Sequence, residues 1–159
     1  MIPQHMSEDH TWETPEDLFA LYDNQWCFGL DAAASAANTK CARWYGPQGE
    51  RGDALDPALL WPIDVPIWLN PPYKRGVQRR FVQKAADTAL RGGTVVVLLP
   101  VRSDTKVWHS LVWDKVQARP HSWVRVVDFL EGRVRFVGGV ASAPFPSCVV
   151  TFTRKAVGQ

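Results

Sequence analysis

The sequence of 159 residues has no apolar run near the roughly 20 residues that span a bilayer, and no signal peptide opens it. No membrane partner and a cytoplasmic location are therefore expected. Cysteine is scarce: Cys27, Cys41 and Cys148 are widely spaced, odd in number and contain no CxxC pair. That excludes a disulfide framework and a zinc site, and each thiol is expected as a small apolar core residue in a reducing compartment. The four histidines, His5, His10, His109 and His121, show no ligand spacing, so no metal is expected. There are no internal repeats. Hydrophobic residues at 46% and charged residues at 21% exclude a disordered or collagen-like chain. The length is that of one domain. Residues 1–11 are read as a tail, its opening Met1–Met6 in part an expression remnant, and 12–159 as the domain proper.

A net charge of only +2 does not by itself point to nucleic acid, but the charges are sorted. Residues 1–72 hold three Lys/Arg against eleven Asp/Glu, while 73–135 hold thirteen against five. The halves are thus −8 and +8. Such sorting suits a polyanion-binding face built from the second half, or is simply the distribution of solvated surface charge. Eight tryptophans and twelve prolines are many for this length.

Thr14-Pro15-Glu16-Asp17 reads as a helix start, with Thr14 as cap, followed by Leu18, Leu21 and Tyr22 and ending near Asn24. Strands are expected at 26–30, 42–45, 66–69, 94–99, 123–129, 134–137 and 148–153. Gly46–Gly52 reads as a loop. The segment from Val77 to Leu90 has helical spacing and stops at Gly92-Gly93. Ser103 or Asp104 is expected to cap a helix through Trp108, Leu111 and Val112. Glu131-Gly132 suggests a hairpin between 123–129 and 134–137. Strands alternate with helices first and a β-rich end follows. This predicts an α/β, Rossmann-like fold, a mostly parallel sheet with an antiparallel C-terminal hairpin. In such sheets ligands lie beyond the carboxyl ends of the strands, where Asp31 and Asn70 both fall.

The most informative segment is Asn70-Pro71-Pro72-Tyr73, directly after a strand. The ring of Pro71 fixes its φ, and Pro72 keeps Pro71 out of the α region. The Pro71 carbonyl is thereby held rigidly, and the Asn70 amide oxygen adds a second acceptor. Two convergent acceptors suit an amino group with two N–H bonds, and the Tyr73 ring offers a face for a planar base. The plain alternative is a turn. Lys74, Arg75, Arg79, Arg80 and Lys84 follow immediately, as phosphates flanking a base require, although some belong to the solvated face of a helix.

This tetrapeptide resembles motif IV of the amino-methyltransferases, which transfer a methyl group from S-adenosylmethionine to an exocyclic amine. That nitrogen lends its lone pair to the ring. Hydrogen bonds from its N–H groups to Asn70 and Pro71 favour a tetrahedral nitrogen and stabilise the positive charge that grows on it. No general base is required, so the lack of a paired histidine or carboxylate is no defect.

More widely, the chain resembles the phage-type DNA N6-adenine methyltransferases. The matching segments are Trp12-Glu13-Thr14-Pro15 with Leu18-Phe19, and Leu30-Asp31-Ala32-Ala33-Ala34-Ser35 with Asn38-Thr39-Lys40-Cys41. Asp53-Ala54-Leu55, 68–73, 98–105, 132–136 and 143–147 follow in the same order. The resemblance implies S-adenosylmethionine as cofactor, with Asp31 accepting from its ammonium and Ala32, Ala33 and Ser35 allowing close approach. Trp12, Thr14 and Pro15 match the segment closing over the cofactor's methionine end. Asp53 is expected at its adenine or ribose, with Asp56 as competitor, and Asn70 borders the same site. No glycine lies between Asp31 and Tyr45, unlike the common glycine-rich form. Alanine serves where closeness matters, but not where φ must be positive.

DNA is the implied partner, either duplex with the target base flipped out or single-stranded. Lys74, Arg75, Arg79, Arg102, Lys106, Arg133 and Arg135 are the candidate contacts, with Arg102 or Lys106 at the carboxyl end of the long strand. Trp108, Trp113 and Trp123 suit base stacking or, by their spacing, core packing. Two other enzymes remain in view with the same chemistry, acting on RNA guanine N2 or on a protein glutamine amide. A non-catalytic nucleic-acid-binding module is the reading of a different class. The absence of a long insertion implies relaxed or short-sequence specificity, and the resemblance implies action in a bacterial host.

Overall fold

The computed structural model describes residues 12–139 and 141–155. The predicted tail, 1–11, lies outside them. A seven-residue strand, β3 (Thr94–Pro100), is buried at every position. Its run of β-branched and aliphatic residues suits a strand covered on both faces. It pairs in parallel with β2 (Ile67–Leu69), which pairs in parallel with β1 (Leu30–Asp31). On its other edge β3 takes β7 (Ser147–Thr153) antiparallel, and β7 takes β6 (Val124–Phe129) antiparallel. The sheet order is β1-β2-β3-β7-β6, with only β7 reversed. A separate antiparallel pair joins β4 (Trp113–Asp114) and β5 (Arg119–Pro120).

Strand alternation divides the core in two. Val95, Val97 and Leu99 face α2 (Val77–Leu90) through its stripe of Phe81, Val82, Ala85, Ala86 and Ala89. Val96 and Leu98 face the opposite side, against Phe19 of α1 (Glu16–Trp26), Trp68, Val134 and Phe136. Trp68 is 1% exposed and sits among Phe19, Phe28 and Tyr22 at ring separations of 5.4, 5.5 and 6.3 Å.

The mixed α/β class and mostly parallel sheet match the sequence reading, whereas several boundaries differ. Helix α1 runs on to Trp26, and Cys27 ends it at φ 54°, so 26–30 contributes only Leu30 to a strand. Cys27 is exposed, not a core residue. Of the expected strand 42–45, only Trp44 and Tyr45 form isolated bridges, to Asp31 and Arg51. The expected hairpin at Glu131-Gly132 is absent: β6 pairs with β7, and 134–137 contributes one isolated bridge, Val137 to Glu13. The turn at Trp108–Val112 is π-helical, and the Trp108 N–H is taken by Thr105 Oγ1 at 3.2 Å rather than by Ser103 or Asp104.

Candidate active site

Asp31 and Asn70 close the parallel strands β1 and β2 at their carboxyl ends, and both line one cleft. The other lining residues are Trp12, Glu13, Thr14, Ala33, Asn38, Lys40, Trp68, Pro71 and Pro72. The cleft therefore joins the segment before α1, the loop after β1 and the turn after β2.

Asp31 is 3% exposed. Its two carboxylate oxygens accept from the Ala33 N–H at 3.3 Å and the Lys40 N–H at 3.0 Å. Burial pushes this carboxyl up to about 6, against the lowering pull of those N–H groups and the Lys40 charge. The small-residue run beyond it needs no left-handed backbone. Among the described residues, positive φ outside glycine occurs only at Cys27, Gln48 and Ala118. The required glycine is Gly46 (φ +139°), where an added Cβ would lie 1.8 Å from the Ala34 carbonyl oxygen. Ala34 in turn donates its N–H to Tyr45 O at 3.0 Å.

A strap formed by 12–15 crosses the end of β2. The Asn70 Nδ2 group donates to the Trp12 carbonyl and, at 3.0 Å, to Thr14 Oγ1. Asn70 Oδ1 is buried without a hydrogen-bond partner. Thr14 thus serves Asn70, and α1 carries no side-chain cap. Lys40 Nζ pairs with Glu16 at 2.5 Å and Glu13 at 3.7 Å, and the Val137 N–H donates to Glu13 O at 3.0 Å.

Beside the cleft the Trp12 ring stacks on Tyr73 at 6.3 Å and meets Phe136 and Phe145 edge-on at 5.2 and 5.7 Å. Tyr73 also packs edge-on against Phe145 at 5.4 Å. Its hydroxyl is buried without a partner, and burial raises its pKa well above the usual phenol range. The Arg102 guanidinium lies 5.8 Å from the Phe145 ring centre.

The structure brings Trp12, Thr14, Asp31, Ala33, Asn70, Pro71 and Pro72 together, with Ala32 buried behind them and Tyr73 adjoining. It does not bring Pro15, Ser35 or Asp53 to the lining. The Ser35 N–H donates to Asn38 Oδ1, and exposed Asp53 Oδ1 accepts from the Leu55 N–H in its own turn. Asp56 likewise caps a turn, accepting from the Ala58 N–H. Lys74, Arg75, Arg79, Arg102, Lys106, Arg133 and Arg135 are all exposed. Trp108 is core, and Trp113 and Trp123 pack against it. Sequence reasoning did not single out Glu13, Asn38, Lys40 and Trp68, although each lies in a segment that carries the family resemblance.

The fold and cleft define an α/β protein with a cleft at the carboxyl ends of two parallel strands. The family described as DNA N-6-adenine-methyltransferase (Dam) matches residues 4–148, and the chain belongs to that family. It is 32% identical over 95 residues to a DNA N-6-adenine-methyltransferase of Escherichia phage T1. That match covers 59% of this chain and 37% of the phage protein. Among the described residues no helix is long and apolar enough to cross a membrane, and no cluster of His, Cys, Asp or Glu is arranged to hold a metal.

Proposed function

We propose that the protein transfers a methyl group from S-adenosylmethionine to the N6 amine of adenine in DNA, on a Rossmann-like sheet. Asn70 Oδ1 carries this reading: it is a buried acceptor left without a partner beside a ligand cleft. Leaving such a group unpaired costs about 1–3 kcal/mol, which a substrate N–H recovers. The lining also suits the cofactor: the Asp31 carboxylate matches an ammonium, and Trp12, Ala33 and Trp68 supply apolar wall.

When bound, S-adenosylmethionine supplies an electrophilic methyl group on a sulfonium. Asp31 with Trp12, Thr14, Ala33 and Asn70 would hold it, with Ala32 packed behind them and Pro15 next to Thr14 in the strap. Asn70 Oδ1 and the Pro71 carbonyl accept the two N–H bonds of the target amine. They draw its lone pair out of the ring and oppose the charge that develops on nitrogen, an effect of a few kcal/mol per acceptor. Tyr73 supports the base, which leaves the stack at a cost of a few kcal/mol. The exposed basic residues from Lys74 to Arg135 engage phosphates, and the acidic first half holds the cofactor. A phage-derived enzyme of this kind works in the host cytoplasm.

The test is transfer of tritiated methyl to DNA, followed by digestion and mass spectrometry of the nucleosides. N6-methyladenine, lost in Asn70→Ala, is the expected product. Methylated guanine from RNA or methylated glutamine would replace this substrate assignment. A protein whose melting temperature ignores S-adenosylmethionine would be a binding module only; ligand at about 100 times its dissociation constant should add about 2.7 kcal/mol.

A further inference from the structure

We infer that the Trp12 carbonyl and the Thr14 hydroxyl are positioning groups that fix which end of the Asn70 amide meets the substrate amine, making asparagine, not aspartate, the residue required there. This rests on the function proposed above. An amide carries two N–H donors at one end and an acceptor at the other. A backbone carbonyl only accepts, so the group facing Trp12 O must be the NH₂. Its second N–H is spent on Thr14 Oγ1 at 3.0 Å. Both donors are then occupied and Oδ1, buried and unpartnered, is left for the substrate. Turning the amide over would oppose two carbonyl oxygens and lose the bond to Trp12.

The strap that carries these groups is itself anchored. Val137 bonds Glu13, Lys40 pairs with Glu13 and Glu16, and the Trp12 ring packs on Tyr73, Phe136 and Phe145. Strap and tetrapeptide are separated by more than fifty residues in sequence yet meet at this one amide. An ionised aspartate at position 70 would present oxygen to the Trp12 carbonyl at one end, and only its protonated form would restore a donor. The charged groups lining the same cleft are Asp31, Lys40 and Glu13, with Glu16 behind Lys40. Each variant is therefore compared with wild type at the same pH.

Four variants test this: Asn70→Ala, Asn70→Asp, Thr14→Val and Thr14→Ser. At about pH 8, N70D should lose roughly 100-fold in kcat, the scale for removing one preorganised polar contact. Relative to wild type it should recover about tenfold when the pH falls to about 6, as its carboxyl protonates. T14V should lose about tenfold in kcat while T14S stays within about threefold, since only the serine keeps the hydroxyl. A readout without cofactor or turnover is the unfolding midpoint in urea: N70D should fall further below wild type at about pH 8 than at about pH 6. N70D as active as wild type at the higher pH, or T14V equal to T14S, would overturn the inference. If N70A is inactive while N70D is fully active, the inference falls and the proposed function stands; if N70A itself turns over normally, the proposed function falls first.

Discussion

The ammonium of Lys40, with its side chain only 5% exposed, lies 2.5 Å from Glu16 and 3.7 Å from Glu13. The backbone N–H of the same residue donates to Asp31. One residue thus ties the strap and the start of α1 to the carboxylate at the end of β1. Glu16 is itself well placed in the first turn of α1, where a negative charge is favoured. Replacing Lys40 by Met keeps the apolar stem and removes the tie. S-adenosylmethionine affinity should fall by about tenfold, and little of that loss should track salt, because the Lys40 ammonium is shielded from bulk solvent. Titration calorimetry at two ionic strengths measures both, and an unchanged dissociation constant would remove Lys40 from the site.

Asp31 makes the same site sensitive to pH. Burial holds its carboxyl at about 6, above its ordinary value of 3.8. Folding therefore disfavours the ionised form, a cost of about 3 kcal/mol that is present above pH 6 and disappears as pH falls toward 3.8. Cofactor binding has the opposite sign, since an ammonium needs the carboxylate. Affinity should drop by about tenfold for each pH unit below 6, while the cofactor-free protein gains stability from this group over the same range. Binding near pH 6 should also release protons, seen as a dependence of the calorimetric heat on buffer ionisation enthalpy. An affinity flat between about pH 7.5 and 5 would contradict the assignment of Asp31.

These two residues differ in how plainly they stand in the sequence. Asp31 interrupts an apolar run, and Asn70-Pro71-Pro72-Tyr73 is constrained by its own rings, so both are legible locally. Lys40 and Asn38 acquire their place only when the loop after β1 folds back on Asp31, which no periodicity reveals. Residues 133–137 show the reverse case. Val134 and Phe136 are buried and Arg133 and Arg135 exposed, the alternation of a strand. Yet this stretch joins none of the five strands of the sheet and makes only one isolated bridge, Val137 to Glu13, so its inward face is held by packing rather than by a ladder.

Gly46 tests the claim that the alanine run after Asp31 takes its close approach from a distant glycine. Its φ of +139° and the 1.8 Å separation between an added Cβ and the Ala34 carbonyl leave no room for a side chain. The backbone here also holds Tyr45 N–H on Asp31 O at 2.9 Å. Gly46→Ala should cost at least about 3 kcal/mol in urea unfolding, from backbone strain and overpacking together. Gly52→Ala, where an added Cβ meets nothing within 4 Å, should stay within about 0.5 kcal/mol. Equal stabilities of the two variants would mean that the loop relaxes freely.

Tyr73 separates the role of a ring from that of a hydroxyl. Its oxygen is buried with no partner, while its ring packs on Trp12, Phe136 and Phe145. Removing an unpaired buried hydroxyl and keeping the ring relieves a desolvation cost. Tyr73→Phe should therefore be at least as stable as wild type, by up to about 1 kcal/mol, with methylation within about threefold. Tyr73→Ala removes the wall against which Trp12 rests, and with it the support of the strap and of the base. Methylation should fall by at least about tenfold, with the Michaelis constant for DNA raised, the scale of one base–aromatic stack. A Tyr73→Phe enzyme as impaired as Tyr73→Ala would instead make the hydroxyl a participant, with the substrate as the partner it lacks.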